Sequence, residues 1–204
     1  MKRVGLLLLL ACLFVIPAHA TTLQLISNPT GDIGPYLMSL NGNPPVPMIC
    51  YSDLNGVEPS PWLVTGLTEG ADLSFVVGTA FGKSTLAATE TEYDELGYLA
   101  AELFAMPGTY ELQNAIWTVS GLDGNSCDST CEADITAAVN AVTVGGYTTA
   151  DTFYVPVNGS GQLVTNQQQP FIYQAAEPGM FLMLGAGLLG LVGLGMRRRS
   201  MVGC

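Results

Sequence analysis

The end of the chain constrains the rest of it. From Met180 to Met196 run seventeen uncharged, apolar residues, five of them glycine, and Arg197, Arg198 and Arg199 follow directly. At about 1.5 Å rise per residue, a helix over 180–196 reaches roughly 25 Å, enough for a thin bilayer. A helix of a soluble core would keep a polar face and would not carry so many glycines. The run therefore reads as a transmembrane segment. Translocating three arginines is costly, so 197–199 read as a basic stop on the cytoplasmic side, with everything before Glu177 on the far side.

The front end agrees. Met1-Lys2-Arg3 is a basic start, Val4 to Ile16 is an apolar stretch, and Pro17 precedes the small-residue site Ala18-His19-Ala20. Residues 1–20 read as a signal peptide cut after Ala20, which implies the Sec translocon and signal peptidase as partners. A lipoprotein-type reading around Cys12 is the lesser alternative, because it leaves Leu13 to Ile16 as a greasy linker.

The C-terminal 175–204 resembles the PEP-CTERM sorting signal of exported Gram-negative bacterial proteins. Glu177-Pro178, the Gly/Leu-rich span and Arg197 to Arg199 carry the resemblance, while Ala176 stands where the motif has its first proline. The resemblance implies recognition by an exosortase and cleavage near the motif. Tails of this type also occur on some ice-binding proteins. It implies a membrane-anchored precursor, then a cell-surface or extracellular protein.

Between the two signals the composition is lopsided. Of seventeen acidic residues only Glu177 lies outside the exported stretch, and of six basic residues only Lys83 lies inside it, so the net charge there is near −15. The stretch holds no arginine, and the only histidine, His19, is in the signal peptide. Nucleic-acid binding lacks its cationic phosphate contacts. Ser-His-Asp, Cys-His and His-based zinc chemistry lack their histidine. No acidic pair has a spacing that singles it out for glycoside hydrolysis. Asp123 to Asp128 lacks the spacing and closing glutamate of an EF-hand and reads as a solvated turn. We expect no catalytic residue, no metal and no cofactor.

Residues 21–174 read as one α+β domain, a β-sandwich or barrel-like sheet with two or three inserted helices, followed by the single transmembrane helix. Strands are expected over Thr21–Ser27, Tyr36–Leu40, Val46–Tyr51, Trp62–Val64, Leu73–Val77, Phe153–Val157 and Gln169–Tyr173. Asn41-Gly42 signals a hairpin. Thr89 to Met106 places Tyr93, Leu96, Leu99, Ala100, Leu103 and Phe104 on one helical face, with Glu92, Asp94, Glu95 and Glu102 off it. Thr89 and Glu92 have capping-box spacing, and Pro107-Gly108 stops the helix. Tyr110 to Val119, capped by Thr109, and Cys131 to Val142 complete the helices.

Cys127 and Cys131 are close enough in sequence for a local disulfide in an oxidising compartment. Cys50 is then odd, and the plainest reading is a buried thiol packing as a small hydrophobe. A second reading comes from a resemblance. Leu112-Gln113-Asn114-Ala115-Ile116-Trp117 is similar to the TQxAIW-type motif of thioester domains from bacterial surface adhesins. Ile49-Cys50-Tyr51 and Gln169, ahead of Phe171-Ile172-Tyr173, occupy places like those of the cysteine and late glutamine of that family. Leu112 and Gln168 depart from the family's preferences, and Pro170 follows the glutamine directly. The resemblance implies a Cys50–Gln169 thioester, with Gln113 and Trp117 supporting it.

Two functions follow. The first is an exported surface or matrix protein without catalytic turnover, meeting extracellular polysaccharide and anchored in the inner membrane through 180–196. The alternative is a covalent adhesin whose thioester reacts with an amine-bearing surface.

Overall fold

The computed structural model describes residues 21–174 except 32, 54–59, 69, 123–125 and 166–167. The expected signal peptide with its site at Ala20, the transmembrane run 180–196, Glu177, Pro178 and Arg197 to Arg199 lie outside the described residues. Among the described residues no helix is long and apolar enough to cross a membrane.

Six strands, β1 (Thr21–Ser27), β2 (Tyr36–Leu40), β3 (Val46–Cys50), β4 (Trp62–Leu67), β5 (Thr152–Pro156) and β6 (Phe171–Tyr173), form the sheet. They close into an antiparallel barrel in the order β1-β2-β3-β6-β5-β4, so the barrel half of the expectation holds and the sandwich half does not. Three helices, α1 (Leu86–Ala105), α2 (Tyr110–Ser120) and α3 (Ser129–Thr143), sit in the connection between β4 and β5.

The period-two alternation of the strands divides the core in two. Leu23, Tyr36, Met38, Met48, Cys50, Trp62, Val64 and Phe171 form one cluster and fill the barrel. Their alternating neighbours Ile49, Tyr51, Phe153, Val155 and Ile172 belong to the other cluster, with Tyr93, Leu96, Leu99, Leu103 and Ile116 from the helices. A six-stranded barrel is narrow, and side chains occupy its interior. Asn41 (φ 52°) and Gly42 (φ 74°) both take left-handed backbone, and Asn43 N–H bonds to Leu40 O at 2.9 Å, which closes the β2–β3 hairpin.

Four local details differ from expectation. Leu73 to Val77 is not a strand; Leu73 lies in a 3-10 helix over Gly70–Phe75. Leu73 and Val76, three apart, both enter the core, a helical rather than an alternating spacing. Helix α1 starts earlier than Thr89, with Thr85 as N-cap and its hydroxyl accepting from Ala88 N. Thr89 is buried inside the helix, where its hydroxyl donates to Thr85 O and accepts from Lys83 N. Glu92 is buried rather than solvated, with Lys83 Nζ 2.7 Å from its Oε1. Burial pushes its carboxyl up while the lysine opposes that. Thr109 does occupy the N-cap of α2, but its hydroxyl donates to Met106 O instead of capping.

The entry to β5 is pinned on α1. Asp94 Oδ1 accepts from Thr149 N at 2.9 Å. Thr149 packs so close to Gly97 that a Cβ there would meet its Oγ1 at 2.3 Å. Two residues on, Asp151 is buried with Oδ2 lacking a partner. Burial raises its carboxyl to about 6.

Two tests follow from this contact. Gly97→Ala should cost about 1–3 kcal/mol in urea unfolding, since backbone on both sides must shift; an unchanged midpoint would mean that the contact relaxes freely. Asp151 binds its proton more tightly folded than unfolded, so its ionisation destabilises the native state as pH rises from about 4 to about 6. Asp151→Asn should therefore gain stability over wild type, by about 1–3 kcal/mol at pH 7 and near zero at pH 4. Parallel unfolding curves at the two pH values check this.

Candidate functional site

The site forms where β3 ends and β6 begins. The ladder pairs Ile49 with Ile172 and Cys50 with Phe171. Beyond it, Tyr51 N–H donates to Pro170 O at 3.2 Å. Continuing this antiparallel register places Gln169 opposite Ser52, diagonal to Cys50 on the same face, a separation that a long side chain spans. Pro170 has no N–H to give the ladder, but at the head of an edge-like segment only its carbonyl is used. Of the three consecutive glutamines, the register thus selects Gln169.

The result is direct contact. Cys50 Sγ lies 2.9 Å from Gln169 Oε1 and 2.9 Å from Ser52 O. A thiol has one proton, so it donates to one of these acceptors at a time. Ser52 N–H points back at the sulfur at 3.4 Å. Cys50 is fully buried, and Gln169 is 6% exposed. Burial pushes the thiol up to about 12, against smaller opposing effects from the Ser52 N–H and the Trp117 indole, and Asp53 adds to the rise. Burial therefore favours the protonated thiol, with Gln169 Oε1 and Ser52 O as its two acceptors.

Helix α2 braces this contact. Gln113, fully buried, donates from Nε2 to Cys50 O at 2.7 Å and accepts at Oε1 from Gly34 N at 2.9 Å. One side chain thus ties α2 to the last residue of β3 and to the approach to β2. Gly34 must be glycine-sized, because a Cβ would sit 3.0 Å from that same Oε1 and 3.3 Å from Ile49. Trp117, one turn along α2, is buried with its Nε1–H lacking a hydrogen-bond partner. It lies near enough to the Cys50 sulfur to favour the thiolate, yet short of hydrogen-bond geometry to the thiol. An unspent donor beside a sulfur and a carboxamide can serve a charge that develops there later.

The four residues singled out by resemblance, Cys50, Gln169, Gln113 and Trp117, are thus brought together. Sequence reasoning passed over Gly34 and Ser52, which meet the site only through backbone groups. Cys127 and Cys131 are joined in a disulfide with Cα atoms 5.4 Å apart, at the start of α3. Asp128 caps that helix through bonds from Thr130 N and Cys131 N. Among the described residues Cys50 is the free cysteine, and no group of three His, Cys, Asp or Glu side chains converges as a metal site would require.

Gln113→Ala would leave Gly34 N–H and Cys50 C=O buried without their partner. The expected loss is about 2–4 kcal/mol in urea unfolding. A loss below about 1 kcal/mol would mean that water replaces the amide and that the brace is dispensable.

No family model matches the chain, and no curated protein is similar to it. Among solved structures, the N-terminal domain of the Streptococcus pyogenes pilus tip adhesin Cpa is similar at 11% identity, with a TM-score of 0.46, over 80% of this chain and 97% of that one. Likeness at that level says nothing about activity.

Proposed function

We propose that this chain is an exported surface protein, sorted by its PEP-CTERM-type tail, in which Cys50 and Gln169 form an internal thioester that couples once to an external amine. The observation that carries this reading is the 2.9 Å contact between Cys50 Sγ and Gln169 Oε1, inside a site closed to water. The bond-forming step balances without a co-reactant. Sulfur attacks the carboxamide carbon, the thiol proton passes to the amide nitrogen, and ammonia leaves. In the second step a primary amine attacks the same carbon, an amide forms, and the thiol is restored. The enzyme-like label does not apply, because the glutamine is consumed.

The surroundings suit both steps. Burial keeps water from the acyl carbon. The Trp117 N–H and Ser52 N–H are donors available to negative charge on oxygen or sulfur. Lys83, the sole Lys or Arg among the described residues, is held by Glu92 and does not compete as a nucleophile. The strongly acidic exterior draws cationic amines by long-range attraction. The bland alternative is a non-covalent matrix protein that keeps Cys50 as a packed thiol; its support is the high proton affinity of that thiol.

Intact mass separates the two. The purified domain should be lighter by one ammonia than its sequence with the disulfide formed. That deficit should vanish in Cys50→Ala and in Gln169→Ala, and methylamine should turn it into a net gain of one CH2, the added amine less the ammonia already lost. After denaturation iodoacetamide should modify Cys50 only in the amine-treated protein. An unaltered mass, with Cys50 alkylated on denaturation, rules the thioester out.

A further inference from the structure

Two buried amides stand side by side on α2, and one of them is not accounted for by the site already described. Gln113 reaches the Cys50 carbonyl, while its neighbour Asn114, 2% exposed, donates from Nδ2 to Ser126 O at 3.1 Å. Ser126 directly precedes Cys127, which the disulfide ties to Cys131. A second bond joins the region to the end of β3, because Asp53 N–H donates to Leu122 O at 2.8 Å. The helix that braces Cys50 is thus fastened through Asn114 to Ser126, and the disulfide fastens Ser126 to the start of α3.

The two sulfurs of the bridge differ in setting. Cys131 is fully buried among the helices, whereas Cys127 is half-buried between the exposed Ser126 and Asp128. An external thiol therefore meets Cys127 first. The bridge spans a sequence separation of only 4, so it removes little entropy from the unfolded chain and its effect is local. With the bridge open, Ser126 keeps Asn114 only through a hydrogen bond, a weak tie beside a covalent one. We propose that the Cys127–Cys131 disulfide is a redox latch on the Cys50–Gln169 site. Oxidised, it seats Ser126 on Asn114 and holds α2 over Cys50; reduced, it frees Ser126, loosens α2 and lets reagents reach the Cys50 sulfur. The opening partner is a dithiol. Its thiolate attacks Cys127 Sγ, Cys131 leaves as the thiolate, and the second thiol of the partner then displaces Cys127. Two electrons and two protons pass to the cysteine pair, and the dithiol becomes a disulfide. A disulfide-bearing oxidant reverses the exchange and closes the site. The latch acts on Cys50 whether its sulfur is a thiol or an ester, so it stands apart from the thioester reading.

The test compares the purified wild-type protein with Cys127→Ala/Cys131→Ala, which has no bridge and needs no reductant. Hydrogen exchange at the Asp53 amide and the Asn114 side-chain amide should be about tenfold faster in the variant. Exchange in β1 and β2 should stay within about twofold of wild type, because the opening is local. Iodoacetamide should alkylate Cys50 in the folded variant about tenfold faster than in wild type. Where Cys50 is esterified, hydrolysis of the ester, read as a gain of one water in mass, should quicken by the same factor. A second arm treats folded wild type with tris(carboxyethyl)phosphine, which takes oxygen from water while Cys127 and Cys131 each gain a proton. The reduced protein should match the double variant, and this arm decides the matter if that variant does not fold. The latch is overturned if Asp53 and Asn114 exchange equally in both proteins, or if exchange rises uniformly across the barrel. It is also overturned if the phosphine leaves the bridge intact in the folded protein. A wild-type mass without the ammonia deficit ends the thioester reading and leaves the alkylation rates to decide the latch.

Discussion

The β3–β6 pairing holds the arrangement together. It is a short ladder, Ile49 with Ile172 and Cys50 with Phe171, extended by the bond from Tyr51 to Pro170. It closes the barrel between residues more than a hundred positions apart. It also sets the diagonal that puts a carboxamide on a thiol. A slip of one residue would turn Cys50 out of the barrel cluster and exchange Gln169 for a neighbour, because alternate side chains face opposite ways. The packing of Phe171 against Tyr36 and Trp62, with ring centroids 5.7 and 6.1 Å away, holds the register by filling the barrel interior.

Around that ladder the molecule is stiffened on both faces. Inside, Met38, Met48 and Phe171 leave no exposure at the Cys50 level. Outside, Tyr51 meets Tyr93 and Phe153 in edge-on contacts with centroids 6.4 and 6.0 Å apart, so the residue next to the cysteine is anchored to α1 and β5. Gln113 then fixes the Cys50 carbonyl from α2. Three separate elements therefore position one sulfur. Such preorganisation is what a reaction between two weak groups, a neutral thiol and an amide, requires.

The charge distribution has a second consequence. Residues 21–176, with sixteen acids and one base, repel one another electrostatically. Among the described residues the single lysine, Lys83, pairs with Glu92, the most buried acid of α1, while Asp151 is buried without a cation and the acids nearer water are screened.

Much of this was legible in the chain. The strands β1 and β2, the Asn41-Gly42 hairpin, the apolar face of α1 and the helical span of Gln113 to Trp117 follow from local periodicity and turn chemistry, which act over a few residues. The absence of arginine and histidine from residues 21–176 is likewise read directly from the chain. Only the tertiary structure decided that the sheet closes as a barrel and that Leu73 lies in a 3-10 helix with Val76 in the turn after it. It also decided that Glu92 is buried against Lys83, and that Gln169 faces Cys50. Each of these depends on which distant segments pair and how their side chains fill shared space, and no window of local sequence carries that information.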